Sequence, residues 1–446
     1  MKKFFYTVML LGAFALSSCN DDEITVPNFI IEAEGFVSDT EILVSQDETI
    51  KLKVAVDNAS DYQVTWLIND EVVSTEPTFN FVAQNLGMNV ITVSVTTPDG
   101  GKANNMIQVM VQGKYKHGTF VLNEGNMTDG TGTLIYISPK GEVTDSAYYK
   151  ANHSLIGNVA QDLFIANNKM YIVTQNGEFN GGEGKLIIAN AETLKKEAVF
   201  NHELDKLDWP SHVAVTGEQI YIRDLAGIYT FDATSKSLKF VDGTEDAGKN
   251  RMAVADGKVF APRANSILVM QDGKLTTTID MPGKVSGVIK ADESHLWVSC
   301  TSTPAVICKV NATTCQIEQT NDLGDAKVGQ GGWGELAAPA ISAKGDTIYF
   351  SNHSTKIKRH IFNEKKTEDM VQVRDYVENA SMVYSNLAVD PTTGEVYIAT
   401  IKGYGLDYLI NSIAVFNFNN MENPLKANYK NYTKFPAGIF FTENFK

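Results

Sequence analysis

A repeat is the feature that most limits what this chain can fold into. Beyond Gly113 a short apolar strand, a tight polar turn and a second strand carrying an aromatic recur. The pairs are Leu163-Phe164-Ile165 with Tyr171-Ile172-Val173, Val213-Ala214-Val215 with Tyr221-Ile222, and Met252-Ala253-Val254 with Val259-Phe260. They continue as Val288-Ile289 with Leu296-Trp297-Val298, Ala340-Ile341 with Ile348-Tyr349-Phe350, and Leu387-Ala388-Val389 with Val396-Tyr397-Ile398. The turns between them, such as Asn167-Asn168 and Asp256-Gly257, have hairpin composition. Successive aromatics lie 50, 39, 37, 52 and 48 residues apart, the length of a four-stranded propeller blade.

The ends of the repeat region complement each other. Gly118 to Asn123 reads as a second strand lacking its first, and Pro436 to Phe441 as a first strand lacking its second. Joined, they make one blade from both ends, which removes the open sheet edges a ring would otherwise leave. The sequence therefore predicts an all-β protein with a seven-bladed propeller over residues 114–446. Residues 29–113 alternate apolar and polar positions in short runs, such as Ile50 to Val56 and Val90 to Val95, the pattern of antiparallel strands. With Trp66 in a central strand, Asn69-Asp70 at a hairpin and Gly87 before a strand, this segment resembles the polycystic-kidney-disease (PKD) type of immunoglobulin-like sandwich. The resemblance implies a β-sandwich that acts as a spacer.

The chain starts with Lys2-Lys3, an apolar run of about 13 residues, and Leu16-Ser17-Ser18-Cys19. That run is shorter than the roughly 20 residues of a membrane-spanning helix. Small residues before Cys19 match the cleavage pattern of a lipoprotein signal peptide over residues 1–19, with Cys19 as the lipidated residue that anchors the mature chain to a membrane. Asn20, Asp21, Asp22 and Glu23 open an acidic tether, residues 20–28, which resembles the surface-export signal of Bacteroides-type lipoproteins. That resemblance implies an outer-membrane protein facing the cell exterior. The net charge is -15, and residues 20–113 carry 15 acidic against 3 basic side chains. No basic run exists to displace counterions from phosphates, so nucleic acid is excluded as a partner. Of the remaining cysteines, Cys308 and Cys315 flank Asn311-Ala312-Thr313 and are placed to face one another across a turn as a disulfide, or else to serve as small buried hydrophobes.

The short first-to-second turns define one face of the ring, and the long loops Asn123 to Thr131, Gln175 to Gly184, His202 to Pro210, Asn321 to Gly334 and Ile401 to Asn411 define the other. Long loops on a rigid scaffold are where binding sites are built. Candidate ligand-binding residues on that face are Asn123, Glu124, Gln175, Asn176, Phe179, Trp209, His212, Arg223, Arg263, Trp333, His353, Tyr384, Lys402, Tyr404 and Tyr408. Aromatics beside amide and guanidinium donors suit a flat ligand with polar edges or a carbohydrate, and they equally suit packing between blades. Catalytic signatures such as GxSxG, HExxH and the Walker loop are absent, and the seven histidines show no metal-ligand spacing, so neither enzyme chemistry nor a metal or cofactor is expected.

The segment from Lys116 onward, with Phe120-Val121-Leu122-Asn123-Glu124-Gly125 and blade strands of the Ala166 to Tyr171-Ile172-Val173 type, resembles the YncE-like surface lipoprotein propellers of Bacteroides-type bacteria, a group first catalogued as a domain of unknown function. The resemblance implies capture of a nutrient, cobalamin or another corrinoid in first place, and delivery to a TonB-dependent outer-membrane transporter. Its alternatives are an adhesion or scaffold protein that contacts proteins or surface glycans, and, last, a glycan-active enzyme.

Overall fold

The computed structural model describes residues 24–35, 42–128, 130–329 and 338–445. The leader with Cys19, the first tether residues 20–23 and Trp333 lie outside the described residues. Two compact units are present, Met1–Lys116 and His117–Lys446, divided three residues later than the sequence pattern suggests.

In the first unit the period-two pattern becomes two facing sheets. Ile50, Leu52 and Val54 of the strand Thr49–Val56 are buried, while Thr49, Lys51 and Lys53 between them are exposed. One sheet has three strands, in the order Phe29–Ala33, Thr49–Val56, Thr78–Val82; the other has five, in the order Ile42–Ser45, Lys102–Gln112, Gly87–Thr96, Gln63–Ile68, Glu71–Ser74. Leu52 and Phe81 from the first sheet and Trp66, Val93 and Val109 from the second share one core. Trp66 is fully buried, and its indole Nε1 donates to the Glu76 carbonyl at 2.8 Å, so its one polar group is satisfied. Asn69 and Asp70 both hold positive φ, +50° and +67°, the backbone of the primed turn that a two-residue hairpin needs.

Among the described residues the second unit is a succession of four-stranded antiparallel sheets and one five-stranded sheet, whose leading strand is split in two. The leading strands Asn158–Ala166, His212–Thr216, Ala253–Ala255, Val285–Lys290 and Ile341–Lys344 neighbour one another in that order and so surround a common axis. Each repeat aromatic sits where one sheet meets another. Tyr171 shares a core with Phe231 of the next sheet, Tyr221 with Leu268, Phe260 with Cys308, Trp297 with Phe362, Tyr349 with Phe416, and Tyr397 with Ile439. The recurring aromatic is thus the wedge that packs one sheet on its neighbour. The turns are also as composition suggests: Asn167-Asn168 and Asp256-Gly257 hold positive φ throughout.

The two ends of this unit share a sheet. Thr119–Asn123 pairs on one side with Thr133–Ile137 and on the other with Pro436–Phe441, with Phe120 opposite Phe440 and Val121 opposite Ile439. The expected disulfide is corrected. Cys308 lies opposite Thr320, with Sγ 3.4 Å from Thr320 Oγ1, whereas Cys315 sits in the turn with its Sγ toward the Ala312 carbonyl. Cys308 instead shares its face of the sheet with Cys300, and all three thiols are free. The hairpin register decides this, since only a residue near 320 can face position 308.

Phe120 is fully buried at the seam, 5.4 Å from Tyr136 between ring centroids. Phe120→Ala is expected to lower the stability of this unit by about 3–5 kcal/mol, read as a shift of the urea midpoint at unchanged slope.

Candidate ligand-binding site

Two breaks in strand pairing create the site. Pairing of Asn158–Ala166 with Lys169–Gly177 slips between Asn158 and Ala160 and again between Ala160 and Asp162, and Val159 holds φ +55°, a conformation that β-branched residues rarely adopt. Irregularities of this kind re-aim side chains, and here they accompany fully buried Gln161 and Asp162 on an innermost strand. The second break splits another leading strand into Met382–Val383 and Ala388–Val389, both paired to Val396–Ile401. Between them Ser385 takes φ +67°, and Tyr384 and Asn386 leave the ladder.

These residues lie at the long-loop ends of their strands, where side chains from separate sheets approach the axis. Glu124, directly after Thr119–Asn123, is buried and accepts a hydrogen bond from Tyr384 Oη on Oε2 at 3.1 Å. Its Oε1 is buried without a partner. Gln161 and Lys249 also face this carboxyl, and Gln175 Nε2 donates to Gln161 Oε1 at 3.1 Å. Burial pushes the Glu124 carboxyl up to about 7, with Lys249, Tyr384 and Gln161 opposing the shift. The same burial lowers the Lys249 ammonium, against the pull of Glu124.

A second buried group involves the same bulged strand. Asp162 Oδ1 accepts from Arg251 Nε at 2.8 Å, and Oδ2 accepts from the Val213 amide at 3.2 Å. Burial alone would raise this carboxyl, but the Arg251 charge and then His212 outweigh it and hold it below the usual range. His212 Nδ1 stands 3.4 Å from Asp162 Oδ2, and neither ring nitrogen makes a hydrogen bond. Desolvation lowers the imidazole to about 4, so it is neutral at physiological pH. The Arg251 guanidinium stacks 4.2 Å from the Phe440 ring centre. A Cβ at Gly438 would stand 2.5 Å from Arg251 Nη2, so only glycine lets the last strand pass this close.

The structure sorts the residues expected from sequence into three groups. Glu124, Gln175, His212 and Tyr384 join or adjoin the axial polar cluster. Phe179, Trp209 and Tyr404 are exposed on the loops. Others do structural work: Arg223 donates through Nε and Nη2 to the Ala247 carbonyl and through Nη1 to Ser211 Oγ, and burial lowers its guanidinium to about 10. Arg263 donates to the Gly243 carbonyl, Asn176 to Asn158 Oδ1, Asn123 to Thr133 Oγ1, and Lys402 pairs with Asp407 at 3.0 Å. Tyr408 stacks on Phe435 at 4.4 Å, and His353 occupies a left-handed turn with Asn352. Among the described residues no group of three or more His, Cys, Asp or Glu side chains is arranged to hold a metal ion.

Gln161, Asp162, Lys249 and Arg251 are the cluster residues the sequence reading missed. Two of its signals were visible, the polar pair Gln161-Asp162 inside an apolar strand and the run Lys249-Asn250-Arg251 before another. A folded pKa above the unfolded one makes Glu124 costless below about pH 4.5 and destabilising as pH rises toward 7. Glu124→Gln should therefore gain stability over the parent between pH 4.5 and 7 by up to about 3 kcal/mol and hold a constant difference above that, followed as Tm against pH.

The molecule is similar in fold to a quinoprotein alcohol dehydrogenase-like protein from Bacteroides thetaiotaomicron VPI-5482, at 16% identity and TM-score 0.54, over 93% of this chain and 99% of that one. It also matches the WD40 domain of Neurospora crassa Pan2, at 11% identity and TM-score 0.42, over 63% of this chain and 80% of that one. No curated protein matches it by sequence. The first likeness shows the β-propeller fold, which the sheets and their axial leading strands already indicate. A family model, domain of unknown function DUF5074, matches residues 117–442, and with most of its length inside that model the chain belongs to this family of β-propellers.

Proposed function

We propose that this protein is a lipid-anchored capture protein of the outer cell surface, which binds a nutrient on the long-loop face of its propeller and passes it, unreacted, to a TonB-dependent outer-membrane transporter. On this reading the sheets of the second unit are the seven blades of a YncE-like ring, the first unit is a PKD-type spacer, and Cys19 carries the lipid. The acidity of residues 20–113 then keeps the tether and spacer off an anionic membrane surface.

One observation carries the proposal. Phe179, Trp209, Tyr404 and Leu406 are 54%, 41%, 58% and 83% exposed, and all belong to loops at the end of the ring away from the short turns. Large apolar side chains left exposed on the loops of one end of a rigid scaffold mark a binding surface more often than chance exposure. A flat ligand with an apolar face and amide-bearing edges suits a rim of this composition, and a corrinoid is the first candidate. Capture also needs no reacting group, in keeping with a sequence that holds no catalytic signature.

Titration of the purified protein with cyanocobalamin, followed by calorimetry and by the visible absorbance of the corrin, tests this reading. Saturable binding of one corrinoid per chain is expected, weakened at least about tenfold in the double variant Trp209→Ala/Tyr404→Ala. Absence of binding at micromolar corrinoid would sink it.

A further inference from the structure

The propeller axis holds a cavity of about 510 Å³ that reaches the short-turn end of the ring, away from the loops just discussed. Its walls include Phe164, Val254, Ile289, Ala343, Ala388 and Phe445, apolar side chains that remain only partly covered. Arg251 and Asn386 also belong to its lining. The C-terminal turn Thr442–Phe445 forms part of the rim, held there by Phe445 against Phe164, 5.1 Å between ring centres, and by Glu443 against His117 at 2.8 Å.

Most charged groups around this space have a partner, while Arg251 Nη2 is buried without a hydrogen bond. Lys290 pairs with Glu293, Asp292 accepts from the Ser294 amide and lies 2.9 Å from His295 Nδ1, Lys344 donates to the Thr392 carbonyl, and Arg251 is bound to Asp162. An occupant that carries charge of its own would leave water for few uncommitted partners, which costs several kcal/mol. An uncharged apolar one would cover side chains that the fold leaves exposed, at about 25 cal/mol for each Å² removed from water. The volume falls within the range of small-molecule sites, roughly 300–1,000 Å³.

We infer that this axial cavity is a second binding site, open at the short-turn end, for a compact uncharged apolar molecule such as a fused-ring compound. The inference is independent of what the loop rim binds, since Phe179, Trp209, Tyr404 and Leu406 do not line the cavity, although Arg251 belongs to both its lining and the polar cluster.

1-Aminoanthracene, a neutral three-ring fluorophore that brightens in apolar surroundings, is the probe. The full chain is expected to bind one probe with a Kd on the order of 10 µM. Val254 and Ala388 are partly exposed cavity walls, so Val254→Trp and Ala388→Trp add bulk to the space, and each should weaken binding at least tenfold while cooperative thermal unfolding is retained. Trp209→Ala/Tyr404→Ala should leave the probe affinity within twofold of the parent. If one filling variant fails to fold, the other still decides the matter. Failure of the parent to bind, equal binding by the folded filling variants, or loss of the probe in the loop variant would each overturn the assignment, whatever the outcome with cyanocobalamin.

Discussion

The pairing of Pro436–Phe441 with Thr119–Asn123 is the contact on which the rest of the second unit depends. Each sheet there packs its faces on two neighbours, so an unjoined end would leave one sheet half covered and a strand edge open. The seam spans more than three hundred residues of chain, and nothing local stabilises it. What holds it is a ladder whose side chains, Val121, Ile439 and Phe441 with Tyr397 of the adjoining sheet, are all buried. Closure is therefore a hydrophobic effect as much as a hydrogen-bonded one.

A closed ring forces a second problem, because the leading strands converge on an axis where side chains from every sheet compete for space. The protein divides that axis by chemistry. At the loop end, two breaks in register bring together Glu124, Gln161, Gln175 and Tyr384, with Asp162 next to Gln161 on the same strand and His212 and Arg251 of neighbouring sheets beside Asp162. Toward the short turns Phe164, Val254, Ile289, Ala343 and Ala388 line the space beside the charged Lys290, Asp292, Glu293 and Lys344, and the space stays open. Buried charges survive where they do because each has a partner or a shifted equilibrium: Asp162 keeps its charge beside Arg251, His212 gives its charge up, and Glu124 titrates near neutrality. Polar groups with such energetics fasten blades to one another, and Glu124 Oε1 remains as an acceptor that the protein itself does not use.

Much of this was legible from residues alone. The spacing of Tyr171, Tyr221, Phe260, Trp297, Tyr349 and Tyr397 marked the sheets because each aromatic does the same packing task, and a repeated task leaves a repeated residue. The half-units at Phe120 and Phe440 announced the shared sheet for the same reason. Turn positions such as Asn167-Asn168 could be read because positive φ admits few residue types. Site residues were harder. Arg223 and Arg263 look like ligand donors in a sequence, yet their hydrogen bonds end on the backbone carbonyls of Ala247 and Gly243, and composition cannot say where a long side chain points.

The sequence by itself determined the alternation, the repeat and the joining of the two ends, because these follow from local periodicity and from which strands lack partners. Only the tertiary structure decided that Cys308 shares a sheet face with Cys300 rather than meeting Cys315, that Asp162 meets Arg251 across 89 positions, and that a cavity opens along the axis. Register slips of one residue and convergence about an axis set those outcomes, and neither leaves a periodic trace in the chain.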